Sequence, residues 1–467
     1  MATITFYGAA QEVTGSCHMV ESSSFGRVLL DCGMHQGGHN VERMQKEEFE
    51  FNPNKIEAVI LSHAHLDHCG MLPKLVNQGF CGHICCSSAT QGLLGVMLRD
   101  SVGIYLSDLE RENVRRARKG KKPLLPEYDD EDVVDTLALC KGVEYGKQVE
   151  VLNGLRVEFQ DAGHILGSAI VSLFIDENNT SKKLVFSGDL GNKNAVLMKD
   201  PSIIEEADVV LMEGTYGDRN HRDIEDTVEQ LKTILIDTEA RGGNILIPAF
   251  AVGRTQEILF YLGTLHNEGL LKNWHVALDS PMAIEVTRVY DKWFRSLDQD
   301  EIQLATPLAT SILEDFIPNL YLSVSVEESI AINRLKKGVI IIAGSGMCTG
   351  GRIRHHFKQR IWDSRNTIIF CGYQANGTLG RLIVDGKKHI KMFNDDFAVK
   401  AQIETLGGFS AHAGQDQLLD WLKGFKNKPS VVLVHGEPMA LDALSTRIWQ
   451  DLNIRVKVPA RGESMVF

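Results

Sequence analysis

Apolar residues in this chain gather into short runs that stop at a charged or imidazole side chain. Ala58-Val59-Ile60-Leu61 leads to His63, residues 27–31 end on Asp31, and residues 183–186 lead to Ser187-Gly188-Asp189. Residues 207–212 end on Glu213, and residues 430–434 end on His435. Runs of four to six apolar residues bounded by turn signals read as buried strands. Residues 3–7 and 155–159 also read as strands, with a second strand expected through Ile175. Residues 67–76 read as a helix directly after the His63 loop. Beyond Gly217 the rhythm changes. Strands at 244–247, 276–278 and 339–343 alternate with helices at 254–265, 282–293 and 352–361, which predicts a parallel sheet in a separate α/β unit. A strand at 401–406 and a helix at 415–424 close the pattern, and no repeat of fixed period is present.

The bulk properties narrow the class. The chain has 467 residues, enough for two or three domains, with 43% hydrophobic and 24% charged residues, as in an ordinary globular protein. No apolar run reaches the length of a membrane span, and residues 1–8 read as a strand and not as a signal peptide, so no membrane association is expected. The nine cysteines are an odd, scattered set, which indicates neither a disulfide framework nor a thiolate zinc site and points to a reducing cytoplasm. A net charge of −12 argues mildly against nonspecific nucleic-acid binding. It leaves room for a local basic channel, because salt limits remote charges to about 8 Å. Residues 99–122 hold eight arginines and lysines, with Arg111, Arg115 and Arg118 on one helical face. A solvated helix end and a substrate-facing basic rim explain them equally well.

The chemistry concentrates in His63-Ala64-His65-Leu66-Asp67-His68. Three imidazoles and a carboxylate in one loop after a strand suit zinc-type ions better than magnesium. Asp31 reads either as a turn-forming residue or as a carboxylate that orients a metal-binding histidine. Three further loops combine glycine with arginine. They are Gly253-Arg254, the stretch from Gly344 through Ser345 and Gly346 to Arg352, and the stretch from Gly372 to Arg381. A glycine-rich loop that enters a helix N-terminus offers backbone N–H groups to a phosphate. None of the three has Walker or Rossmann spacing.

His63-x-His65-x-Asp67-His68 after a strand resembles the signature of the metallo-β-lactamase superfamily. The resemblance implies a third histidine, a bridging aspartate and a late histidine in that order. His164, Asp189 and His435 stand where these are owed, and Asp189 suits bridging because a carboxylate has two oxygens. Glu213-Gly-Thr-Tyr216, Ser410-Ala-His412 and Val434-His435-Gly-Glu437 look like the extra motifs of the β-CASP nucleases. The implied fold is an α/β metallo-β-lactamase αββα sandwich interrupted by a β-CASP α/β domain. The expected division is 1–216 and 396–467 for the sandwich and 217–395 for the insert. The chain lacks the KH modules of some archaeal relatives and the C-terminal domain of ribonuclease J, so a minimal catalytic core is expected.

By that resemblance two Zn2+ ions, with Mn2+ as an alternative, are held by His63, His65, His164 and Asp189, and by Asp67, His68, Asp189 and His435. A hydroxide shared between them would attack a phosphodiester of single-stranded RNA, with Asp67 taking the proton. His412 would protonate the leaving oxygen, Glu213 would hold His412, Ser410 would bond a phosphate oxygen, and Asp31 would orient a ligand. Arg254, Ser345, Gly346, Arg352 and Arg381 are the expected contacts to the RNA backbone. A thioester or lactam hydrolase on the same fold and a DNA nuclease are the alternatives. Internal cutting, 5′-end cutting and a homodimer all stay open, and no obligate protein partner is deducible.

Overall fold

A computed structural model describes residues 2–35, 40–177, 179–296, 316–318, 320–372, 374–375 and 377–467. Two compact units emerge: Met1–Asn220 together with His412–Phe467, and His221–Ala411.

The first unit is built on two seven-stranded sheets. One runs in the order Ser464–Val466, Thr3–Gly8, Cys17–Ser22, Gly26–Leu30, Ala58–Ile60, His83–Ser87, Cys140–Val143. The other runs Val456–Lys457, Ser430–Val434, Val209–Glu213, Thr180–Phe186, Ala169–Glu177, Leu155–Asp161, Gln148–Leu152. Their facing sides share a core, with Phe6, Val20, Leu30 and Ile60 from the first and Phe159, Val171, Phe186 and Val434 from the second. On the far side of the second sheet, Val185, Val210 and Leu433 pack against Trp421, Leu422, Leu441 and Leu444 of helices Gln415–Leu422 and Pro438–Leu452. The long helix Ser88–Arg118 covers His83–Ser87 and Cys140–Val143 of the first sheet. The layers are therefore helix, sheet, sheet, helix. Strands such as Ala58–Ile60 and Val209–Glu213 are buried on both faces, which is why they read as unbroken apolar runs.

The helix expected at 67–76 is two short ones, Leu66–Cys69 and Leu72–Asn77. Pro73 is the cause. It has no N–H, and its ring clashes with the carbonyl four residues back, on Cys69, so one helix ends there and the next begins.

His35 ties two segments of this unit together. Its Nε2 lies 3.1 Å from Glu12 and its Nδ1 bonds Glu47. The hydrogen bonds to Glu12 and then Glu47, opposed by partial burial, raise its pKa to about 9. An unfolded histidine titrates near 6.5. The protonated ring therefore contributes its full stabilisation below about pH 6.5, and that contribution is lost as pH rises through about 9. Urea melts of the wild type should lose on the order of 1–3 kcal/mol more than His35→Ala between pH 6 and pH 9.5. Equal pH slopes in the two proteins would refute the assignment.

The second unit holds a six-stranded sheet in the order Leu320–Leu322, His275–Leu278, Val339–Ala343, Ile245–Pro248, Thr367–Phe370, Gln402–Thr405. Every pairing within it is parallel, as the alternation of strands and helices predicts. The three glycine–arginine loops follow Ile245–Pro248, Val339–Ala343 and Thr367–Phe370, at the carboxyl ends where such sheets place ligand sites. They touch one another. Gln374 donates to the Gly346 carbonyl at 3.0 Å, Gly380 N–H donates to the Met347 carbonyl at 3.2 Å, and a Cβ on Gly346 would come within 2.8 Å of the Phe250 ring. Tyr373 and Asn376 of the last loop lie outside the described residues. No helix among the described residues is long and apolar enough to cross a membrane.

Candidate metal centre

The strand tips of the first unit deliver their side chains to one place. His63 and His65 follow Ala58–Ile60, and Asp67 and His68 sit in the helical turn after them. His164 lies in the turn between Leu155–Asp161 and Ala169–Glu177. Asp189 follows Thr180–Phe186, Glu213 ends Val209–Glu213, and His435 follows Ser430–Val434.

Three groups of candidate ligand atoms form, each within 4.8 Å: His63, His65, His164 and Asp189; Asp67, His68 and His435; and Asp189, Glu213 and His435, of which the first two share no residue. His65 Nδ1 lies 3.1 Å from His63 Nε2 and 3.2 Å from His164 Nε2. His68 Nε2 and His435 Nε2 are 3.1 Å apart. Asp189 stands between the first two groups. Its Oδ2 is 3.5 Å from both His63 and His164, and its Oδ1 is 3.4 Å from His68 and 3.6 Å from His435.

The donor set fits a pair of borderline cations. Nitrogen and carboxylate ligands at four positions suit zinc, and the Asp189 fork faces both groups. Asp189 Oδ1 is buried and has no hydrogen-bond donor of good geometry, and an orphaned buried anionic oxygen is costly unless a cation meets it. Burial, with the His68 charge, drives the His63 pKa well below its usual value, and burial holds His65 at about 4. Both rings are thus neutral and have lone pairs to give. His68 goes the other way. Burial pulls it down, but Asp189 and Asp31 outweigh that and favour positive charge at this point.

The ring orientations are set from behind. Asp31, fully buried, lies 2.7 Å from His68 Nδ1 and accepts from Ser62 N–H at 2.8 Å and from the Ser16 and Ser62 hydroxyls at 3.0 Å. Ser62 Oγ is also 3.0 Å from His63 Nδ1. With a proton on each Nδ1, His63 donates to Ser62 Oγ, which donates to Asp31, and His68 donates to Asp31 directly; in that tautomer each Nε2 has its lone pair for a cation. Thr215 Oγ1 lies 3.0 Å from His435 Nδ1. Nothing in the sequence marks Ser62 or Thr215, because a lone hydroxyl carries no signal, whereas Asp31 closes an apolar strand. Ser62→Ala should weaken metal affinity roughly 10–100-fold, the usual cost of losing an outer partner. Competition with a chelator reads it, and an unchanged affinity would dismiss the relay.

His412 comes from the returning segment. An isolated antiparallel bridge with Gly191 and the Ala413 N–H to Leu190 O bond at 2.8 Å hold it. Its Nδ1 is 3.2 Å from Glu213 Oε1, and its ring centroid is 4.4 Å from that of His164. Glu213 is fully buried and fixed by N–H groups of Leu190 at 2.7 Å and Thr215 at 3.2 Å. Burial lowers the His412 pKa, but the Glu213 carboxylate, then Asp189 and Asp67, more than offset it and bring it to about 9. The side chain keeps 21% exposure.

The expected phosphate contacts lie in the second unit. Arg254 pairs with Glu257, and Arg381 with Asp385 at 2.9 Å. Arg352 donates to buried Asp279 at 2.7 Å and to the carbonyls of Ser323 at 3.1 Å and Val324 at 2.7 Å. All three guanidinium groups already bind carboxylates of their own unit. Ser345 closes its loop by accepting from Gly350 N–H at 3.2 Å. Ser410 is the last residue but one of the second unit, two residues before His412.

Comparison with known proteins gives three family models. Residues 11–239 match the metallo-β-lactamase superfamily, 255–383 the Beta-Casp domain, and 396–459 the Zn-dependent metallo-hydrolase RNA specificity domain. The chain is 40% identical to Ribonuclease TTHA0252 of Thermus thermophilus over 94% of both chains. It is 30% identical to an RNase J-like protein of Methanocaldococcus jannaschii over 99% of both. It is 31% identical to Transcription termination factor FttA of Methanosarcina mazei over 99% of this chain and 71% of that protein.

Proposed function

This chain belongs to the metallo-β-lactamase superfamily and its β-CASP family, and on that footing we propose that it is a metal-dependent ribonuclease that hydrolyses phosphodiester bonds of single-stranded RNA. The observation that carries this reading is the Glu213–His412 pair beside the first two ligand groups. Hydrolysis of a lactam or thioester does not demand such a pair. A phosphodiester benefits from it, because an alkoxide leaving group needs a proton. Relatives named as ribonucleases support the same substrate class.

His63, His65, His164 and Asp189 would hold one cation, and Asp67, His68, His435 and Asp189 a second. Zinc suits the donor set, with manganese as the alternative. When bound, such ions supply Lewis-acid charge and an activated water at neutral pH. The chain's own residues do the rest. Asp67, whose pKa falls to about 2 because His435, His68 and His65 outweigh its burial, accepts a proton as a carboxylate. Glu213 holds His412 through Nδ1, so Nε2 donates a proton to the leaving sugar oxygen. Ser410 bonds a non-bridging phosphate oxygen. In the second unit, the Ser345–Gly346 backbone, with Arg254, Arg352 and Arg381 once they exchange their carboxylate partners, is assigned to backbone phosphates without reading sequence.

The test is incubation with end-labelled single-stranded RNA, matched DNA and a small thioester, each with and without chelator. RNA cleavage abolished by chelator and restored by zinc or manganese is expected, and the product ladder separates internal from 5′-end cutting. Thioester turnover with intact RNA would replace this reading with the small-molecule one, and equal cutting of DNA would widen it.

A further inference from the structure

One feature of the first unit lies outside the metal centre. Helix Ser88–Arg118 is 31 residues long, about 46 Å at 1.5 Å per residue. Its first turn is fastened to the loop that carries His164: the Ser87 and Thr90 hydroxyls donate to the Gly167 carbonyl at 2.6 and 2.7 Å. Its last turn and the reversal after it are strongly basic. Residues 111–122 contain seven arginines and lysines against one acid, Glu112, in a chain of net charge −12. The tip is built and not frayed. Arg116 Nε donates to the Lys122 carbonyl at 2.8 Å, and Asn113 exchanges two bonds with the Leu124 backbone at 2.9 and 2.7 Å. The charges point outwards. Arg111 and Arg115 are 71% and 64% exposed, and Arg118, Lys119, Lys121 and Lys122 are exposed as well. Arg111 and Arg115 meet Asp108 at 3.3 Å and Glu112 at 3.6 Å within the helix; exposed pairs of this kind contribute little and yield readily to a polyanion.

We propose that this basic tip is a second contact for the RNA backbone, a distal anchor about one helix length from the His164 loop. The inference rests on the ribonuclease reading. The occupant follows from the chemistry. Seven cations without an aromatic side chain among residues 111–122 bind phosphates and have nothing on which to stack bases, so the contact is electrostatic and indifferent to sequence. At about 3.4 Å per stacked nucleotide, a strand needs about 13 nucleotides to span the helix. The anchor therefore retains long RNAs and leaves short ones untouched, which turns a cleavage site into one that selects by substrate length.

The test combines Arg115→Gln, Arg118→Gln, Lys119→Gln and Lys122→Gln, sparing Arg116, in the full chain. Fluorescence anisotropy reads binding of RNAs of about 5 and about 30 nucleotides, chosen to fall short of and to exceed the span. For the long RNA the variant should bind at least about tenfold more weakly at 0.1 M salt, and its log–log salt slope should shrink by about 3, from four lost contacts at about 0.7 each. For the short RNA, binding and kcat/KM should match the wild type. A second variant, Arg115→Lys with Arg118→Lys, should bind both RNAs as the wild type does, because only charge matters. Long-RNA binding unchanged in the glutamine variant would overturn the anchor and leave the tip to an acidic protein partner; an equal loss on both RNAs would overturn it as well. Wild-type protein that binds RNA but cuts none would sink the ribonuclease reading while the anisotropy still decides the anchor.

Discussion

Asp189→Asn should lower RNA cleavage by more than the roughly 10²–10⁴-fold carried by an acid catalyst, and should lower bound metal at the same time. The side chain is the one whose two oxygens face different ligand groups, Oδ2 towards His63 and His164 and Oδ1 towards His68 and His435. The amide keeps the shape but loses the charge and turns one oxygen into a donor, which then points its N–H at imidazole nitrogens that need a cation. One proposed site loses its oxygen ligand and the other keeps only a neutral amide oxygen. Metal analysis and cleavage rates, measured together, decide it. Full metal content with near-normal rates would mean that Asp189 bridges nothing.

His412→Ala should separate chemistry from metal binding. The ring contacts Glu213 and lies tilted beside His164 but belongs to none of the ligand groups. The expected loss is roughly 10²–10⁴-fold in cleavage with metal content unchanged, because acid catalysis typically supplies that much. An RNA analogue whose leaving group needs no proton should recover most of the loss. A fall in metal content would move His412 among the ligands, and an unrecovered rate would assign it to positioning only.

Much of this candidate centre is legible in the sequence because the fold puts the proposed ligands where apolar runs stop. A strand buried on both faces can end only by turning to something polar, and here that is Asp31, His63, Asp189, Glu213 or His435. The supporting hydroxyls are not legible. Ser62 and Thr215 matter through their distance to an imidazole, and nothing in their neighbours announces it. Helix Ile224–Ala240 escapes a count of apolar spacing because its buried face includes Thr227 and Thr238 beside Leu231, Ile234 and Leu235. The hairpin of His389–Met392 with Asp395–Ala398 is equally hidden. Its two turn residues take left-handed φ values of 52° and 67°, but they are Phe393 and Asn394, not the Asn-Gly pair that marks such turns. Charge told least: the basic tip at residues 111–122 gains a meaning only once its helix is seen to start at the His164 loop.

Side chains from His63 to His435 are proposed to grip a pair of cations that RNA cleavage requires. The direct measurement is titration of metal-stripped protein with zinc, with the tightly held ions per chain and the rate of single-stranded RNA cleavage read at each step. Activity should rise to its plateau as the second ion binds. Stripped protein that cuts RNA at full rate, or fully loaded protein that leaves RNA intact, would contradict it.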